Sequence, residues 1–219
     1  MKKPIVPKII DILKEDLIWC QYDLNEYQVI FGENRKQKEL LLKETGQYFS
    51  RLHLFYWDRF TISISKFTDK CEQGSNKNLS IYILLELIDK FNINRVLVES
   101  CIKEIEKAAS TFRKRRSKYI AHRDLKSAIL ENDIKEDKLH LSNVKIVYEN
   151  VGKILNEFYE KIEDSSWDWN LASLSGAESL MFLMKEGIVY QEFKEKRKDW
   201  ILDQKEFQES SMKELEINQ

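Results

Sequence analysis

Apolar residues recur at three- and four-residue spacing over most of this chain, the signature of amphipathic helices rather than of strands. From Lys8, the positions Ile9, Ile12, Leu13, Leu17, Cys20, Leu24 and Tyr27 form one stripe, and the pattern predicts a first helix ending near Gly32. A second, long helix is predicted from about Asn34 to Phe67. Its latter half, with Phe49, Leu52, Phe55, Tyr56, Trp57, Phe60, Ile62, Ile64 and Phe67, is apolar nearly all round and belongs at the centre of a fold. Such aromatic density could also stack bases, but an interior role is the simpler reading, and His53 within it reads as a satisfied core or border histidine.

Residues 69–78 read as a loop, and 79–91 as a short helix with Leu79, Ile83, Leu84, Leu87, Ile88 and Phe91 on its inner side. Asn94 is an N-cap for a helix that starts at Arg95 and carries Cys101, Ile105, Ala108, Phe112 and Tyr119 within one arc. A polar, partly acidic crossover follows from Leu125 to His140, with His140 an exposed loop residue. Ser142 then caps a helix with Val144, Val147, Val151, Ile154, Leu155, Phe158 and Ile162 inside. The segment 164–170 is a loop whose Trp167 and Trp169 fold back on the bundle. Ser175-Gly176-Ala177-Glu178 has the form of a capping box opening a short helix that Gly187 closes. Beyond Val189 a charge-laced helix bears Phe193, Trp200 and Phe207 seven apart, a stripe suited to packing on the bundle or on a partner chain.

Composition sharpens this picture. Among 219 residues there are six Gly and two Pro, with no proline after Pro7, which removes the usual punctuation of sheets. The expectation is all-α: a helical bundle with long central helices over residues 1–190 and a charged helical extension over 191–219. Cys20, Cys71 and Cys101 lack metal-ligand spacing and read as reduced thiols, as in a cytoplasmic protein. No run approaches ~20 apolar residues, so membrane spanning is not expected. His53, His122 and His140 are scattered, without a His-x-x-x-His pair, and no Gly-x-Ser-x-Gly elbow occurs. Neither a metal nor another cofactor is expected.

The chemistry concentrates in one stretch. From Arg113 to Lys126 there are seven basic side chains and one acid, whereas the whole chain has 36 Lys+Arg against 37 Asp+Glu. Such runs are commonly solvated helix faces, and they also attract phosphates. Helical phase puts Arg115 and Arg116 on the two borders of the apolar arc, while Arg113, Lys114 and Lys118 point away from it. A border guanidinium needs a partner or a substrate anion. His122-Arg123-Asp124-Leu125-Lys126 also reads like a kinase catalytic loop, but Ile129 stands where the metal-binding Asn should be, and no Gly-rich loop or Asp-Phe-Gly accompanies it.

Arg116, five intervening residues and His122 resemble the arginine-histidine motif of the HEPN superfamily. The wording Arg116-Ser117-Lys118-Tyr119-Ile120-Ala121-His122-Arg123-Asp124-Leu125 is similar to the Arg-Asn-Lys-x-x-Ala-His-Arg-Asp-Leu pattern of its AbiU-like abortive-infection group, with Ser117 where that group usually has Asn. The likeness spans roughly residues 8–190 and implies a HEPN-like bundle. It further implies a metal-independent endoribonuclease of toxin or phage-defence role, acting on RNA at a composite homodimer site and restrained by an antitoxin or regulatory protein. Arg116, His122 and Ser117 would be catalytic, and Arg115, Lys118 and Arg123 would bind the RNA backbone. Asp124 would orient His122 or close a turn, and Tyr119 would pack. Degenerate, non-catalytic members of the superfamily make a binding module for RNA, a nucleotide or an acidic protein the alternative. On one unbroken helix, positions six apart diverge by about 120°. Arg116 and His122 can then share a phosphate only if the helix breaks near Ala121 or if two subunits face each other. The resemblance implies the second.

Overall fold

The computed structural model describes residues 5–32, 35–73, 76–121, 139–168 and 176–217. Six α-helices account for most of them: α1 (Ile5–Phe31), α2 (Arg35–Thr68), α3 (Tyr82–Leu85), α4 (Arg95–Arg115), α5 (Leu141–Glu163) and α6 (Gly176–Ile217). Two-residue strands β1 (Glu72–Gln73) and β2 (Asn76–Lys77) pair antiparallel between α2 and α3. The fold is all-α, as the periodicity predicts. The chain divides into two compact units, Met1–Ser173 and Leu174–Gln219.

The first unit is a bundle of α1, α2, α4 and α5, with α4 packed on α5 and α2, and α1 on α5 and α2. Each helix buries most of the stripe that its sequence marks out. In α1 these are Leu13, Leu17, Cys20, Leu24 and Tyr27, with Ile10 buried in place of the expected Ile9 and Ile12; in α4 Cys101, Ile105, Ala108 and Phe112; in α5 Val144, Val147, Val151, Ile154, Leu155 and Phe158, with Ile162 only partly covered. Helix α2 contributes Phe60, Ile64 and Phe67, all fully enclosed, but its latter half is not central all round as expected, since Phe55 and Ile62 lie on an exposed face. Three polar pairs set the register of α1 against α2. Lys66 reaches Asp16 at 3.0 Å, Arg59 reaches Asp23 at 2.7 Å, and the Tyr56 hydroxyl donates to Glu26 at 3.0 Å. The numbers rise on one helix as they fall on the other, so the two run antiparallel.

Much of the polar interior is paired, although Gln21 Oε1, Ser65 Oγ and Thr111 Oγ1 are buried with no hydrogen-bond partner among the described residues. Ser63 Oγ donates to the Phe60 carbonyl at 3.1 Å, so the bond of 2.7 Å between Ser63 and the buried Tyr148 hydroxyl has tyrosine as donor. Cys20 lies within hydrogen-bonding reach of both, and burial pushes its thiol up to about 11. None of the three cysteines forms a disulfide. His53 accepts the indole N–H of Trp57 at Nε2 (3.2 Å), which leaves the proton on Nδ1 to face the Tyr27 hydroxyl, also at 3.2 Å. It is the satisfied border histidine that the sequence suggests.

Several local expectations are corrected. Helix α2 is not one smooth rod: Gly46 leaves helical geometry at φ 33°, ψ −98°, a left-handed φ that favours glycine, so two helical pieces meet there. The segment 79–91 contains only the four residues of α3, followed by turns. They close at Asn92, which is left-handed at φ 52°, while the Ile93 N–H returns to the Ile88 carbonyl at 3.0 Å. Of its expected inner side Leu84 and Ile88 are buried and Leu79, Ile83, Leu87 and Phe91 only partly covered, while Ile81 is buried as well. The N-cap position of α5 is exposed His140, two residues ahead of Ser142, and its side chain makes no capping hydrogen bond. The Asn94 cap holds, its side chain accepting the Leu97 N–H at 3.2 Å.

Trp167 does return to the bundle. Asn156 on α5 clasps its backbone by two hydrogen bonds, and Lys14 of α1 lies 5.0 Å from its ring centre. Trp169 lies outside the described residues. In the second unit α6 is a single helix that runs straight through Gly187, which keeps ordinary helical geometry and so does not terminate it. A glycine inside a helix weakens it by about 1 kcal/mol without having to stop it. Phe193 and Trp200 are exposed along α6, and the Phe207 side chain lies outside the description.

Candidate nucleic-acid site at the end of the fourth helix

Helix α4 neither stops at Arg115 nor continues unchanged. Arg116 keeps helical angles, and its N–H is shared between the Arg113 and Phe112 carbonyls. From Arg116 to Ala121 the backbone then widens into a π-helical turn. Each π turn takes in one more residue than an α turn, so it rephases whatever side chains follow, and such turns are common at functional positions. The helix thus changes pitch five residues before Ala121, and whether it breaks just beyond Ala121 lies outside the described residues. The π turn packs against α2.

That packing gives the border arginines their partners. Arg115 Nη2 donates to Asp58 at 2.8 Å, and Arg116 Nη1 meets both carboxylate oxygens of Asp69, at 2.5 and 2.6 Å. Both acids belong to the α2 side of the bundle. Eleven residues separate them, three helical turns and roughly 16 Å along the axis, so they share a face. The two guanidinium groups are thus drawn in opposite directions along α2 rather than toward one point. Arg115 is the more enclosed, its side chain 26% exposed against 38% for Arg116, and its Nε is buried with no hydrogen-bond partner among the described residues.

The rest of the basic run is less free than its composition suggests. Arg113 reaches back along its own helix to the Glu106 carbonyl at 3.3 Å, and the Tyr82 hydroxyl donates to the Glu106 carboxylate at 3.0 Å. Burial first, and then Glu106, raise the Tyr82 hydroxyl above its ordinary value. Lys114 and Ser117 are exposed. The side chains of Lys118 and Tyr119, and all of His122, Arg123 and Asp124, lie outside the described residues.

Of the expected site residues, then, the structure describes Arg115, Arg116 and Ser117, on consecutive positions where α4 passes into the π turn. It adds Asp58 and Asp69, which periodicity did not single out. A faint signal existed, since Asp58 is the lone acid between Phe49 and Phe67. Among the described residues, no group of three or more His, Cys, Asp or Glu is arranged to hold a metal ion, and no helix is long and apolar enough to cross a membrane.

Comparison with known proteins gives a family. The HEPN-domain family AbiU2 matches residues 6–180, which covers α1 to α5, the π turn and the start of α6. No curated protein and no solved structure matches the chain. With four fifths of its length under that family model, and with an all-α bundle that fits it, the chain belongs to the AbiU2 family of HEPN-domain proteins.

Proposed function

We propose that the protein is a metal-independent endoribonuclease of the HEPN type, acting as a homodimer in the cytoplasm in a toxin or phage-defence role. The observation that carries this reading is the setting of Arg116. It opens a π turn six residues ahead of His122, remains more than a third exposed, and is pinned by Asp69 in a chain of the AbiU2 family.

In the proposed reaction the 2′-hydroxyl of the RNA attacks the adjacent phosphorus, forming the O2′–P bond and breaking the P–O5′ bond. The 2′-hydroxyl proton leaves to a base and the 5′ oxygen receives one from an acid. The products carry a 2′,3′-cyclic phosphate and a 5′-hydroxyl. Imidazole titrates near neutral pH, so His122 suits either proton role, and a second subunit can supply the other. Arg116 stays cationic and holds the non-bridging oxygens as charge builds on phosphorus. Arg115, Lys118 and Arg123 contact the backbone, which gives affinity with little sequence choice. Ser117 offers a hydroxyl to a phosphate oxygen, and Asp124 orients His122 or closes the turn after it. An antitoxin or other regulatory protein would restrain the site.

Incubation of total RNA with the protein in excess chelator, beside Arg116→Ala and His122→Ala, tests this. Cleavage by the wild type and its loss in both variants is expected, with RNA binding kept by His122→Ala; intact RNA throughout would end the nuclease reading. The second reading is a non-catalytic binding module for RNA, a nucleotide or an acidic protein. Two observations favour it: Ser117 occupies the usual Asn position, and both border arginines already carry a carboxylate counter-charge.

A further inference from the structure

We infer that Asp69 is the positioning residue of this site, aiming Arg116 at a phosphate and holding down its charge until one arrives. The inference rests on the nuclease reading for its kinetic part and on geometry for the rest.

Asp69 meets Arg116 in an unusual way for a carboxylate and a guanidinium. Both of its oxygens converge on the single nitrogen Nη1. A fork-to-fork pair would consume two nitrogens along one edge, the same edge that binds a phosphate by two parallel hydrogen bonds. Here the edge formed by Nε and Nη2 is left without a partner among the described residues. The guanidinium is held at one corner and offers a two-pronged donor from the opposite side.

Asp69 is in turn held by its surroundings. It follows directly on Thr68, whose hydroxyl donates to the Ile64 carbonyl at 2.8 Å in the buried last turn of α2. Immediately after it, Asn78 clasps the chain twice: its side chain donates to the Lys70 carbonyl at 3.0 Å and its N–H to the Cys71 carbonyl at 2.7 Å. Between these clasps lies the β1–β2 ladder, and the Ile81 N–H ties the far side of the loop to the Phe67 carbonyl at 3.1 Å. The short hairpin and its clasps therefore hold the chain on the far side of Asp69, the acid that pairs with Arg116. A long arginine loses much rotamer freedom when it binds; a pre-placed one has already lost it.

Removing the charge but not the shape should split binding from chemistry. In Asp69→Asn the arginine regains its full charge, so binding of a 2′-deoxy oligonucleotide, which lacks the attacking hydroxyl, should tighten by about threefold to tenfold and fall more steeply with salt. Single-turnover RNA cleavage at saturating protein should drop by roughly tenfold or more, because the guanidinium is no longer aimed. Asp69→Glu should recover part of that rate. Asp16→Asn removes the same charge from the Asp16–Lys66 pair and should change neither measurement.

Cleavage by Asp69→Asn at the wild-type rate overturns the inference, and so does a parallel loss of binding and cleavage with a lowered melting temperature, which would make the pair merely structural. Should the wild type cut no RNA, the nuclease reading fails by itself. The inference is then decided by binding: the gain in Asp69→Asn must vanish in an Arg116→Ala background, and equal affinities for wild type and Asp69→Asn refute it.

Discussion

The two ends of α4 carry the same chemistry, arginine against carboxylate, with different consequences. At the start, Arg95 pairs with Asp89 at 2.9 Å and Glu99 at 3.4 Å, partners six and four residues away. All three side chains are more than half exposed. At the far end, Arg115 and Arg116 pair with acids 57 and 47 residues away on another element, and three of the four side chains involved are less than 40% exposed. Water screens the first cluster, and its local partners exist whether or not the bundle has formed. The second cluster exists only when α4 lies across α2, so it reports on tertiary structure and locks the point where the helix changes pitch.

The sharpest way to break this contrast is to remove the packing on which the far end depends. Phe112 is fully buried one turn before Arg116, with its ring stacked on Trp57, so Phe112→Ala should destabilise the protein by about 3–5 kcal/mol in urea denaturation. A loss below 1 kcal/mol would mean that the ion pairs, not the core, hold this end of α4.

A buried polar group gives the next largest effect. Burial lifts the Cys20 thiol from 9.0 to about 11, so between those values the unfolded chain sheds a proton that the folded chain keeps. Stability is whole below pH 9 and declines as pH rises toward about 11, by roughly 2–3 kcal/mol. Buried tyrosines such as Tyr148 and Tyr56 add to the decline only above their ordinary value of 10.0, so the interval from pH 9 to 10 reports on the thiols, Cys20 together with Cys101, which burial also raises from 9.0. Urea midpoints measured across that interval should fall in the wild type, fall less in Cys20→Ala and stay level in Cys20→Ala/Cys101→Ala.

Smaller effects separate the two ends directly. A double-mutant cycle on Asp69 and Arg116 should return a coupling of about 1 kcal/mol, the range for a partly screened charge pair. Arg95→Ala should leave the thermal midpoint within error, since Arg95 and both of its partners are more than half exposed and screened by water. Equal shifts at both ends would erase the distinction between them.

The same distinction separates what could be read from the chain and what could not. Most of the stripes of α1, α4 and α5 and the Asn94 cap follow from side chains three and four residues apart, a spacing fixed by the helix itself, whereas only one face of the aromatic half of α2 is buried, with Phe55 and Ile62 exposed. Gly46 and Gly187 misled in opposite directions. The first breaks α2 inside a predicted helix, and the second sits harmlessly inside α6, because a glycine permits an unusual backbone angle without requiring one. The π turn was equally hidden, since its side chains also suit an α-helix.

The sequence by itself determined that the protein is helical, which face of each main helix turns inward, and where along the chain the arginine-histidine motif lies. Tertiary structure alone decided that Arg115 and Arg116 are neutralised, by which acids, and that they are drawn apart along α2. Periodicity encodes neighbours within a turn or two of one helix, whereas a pairing across 47 or 57 residues depends on the angle and depth at which two helices cross.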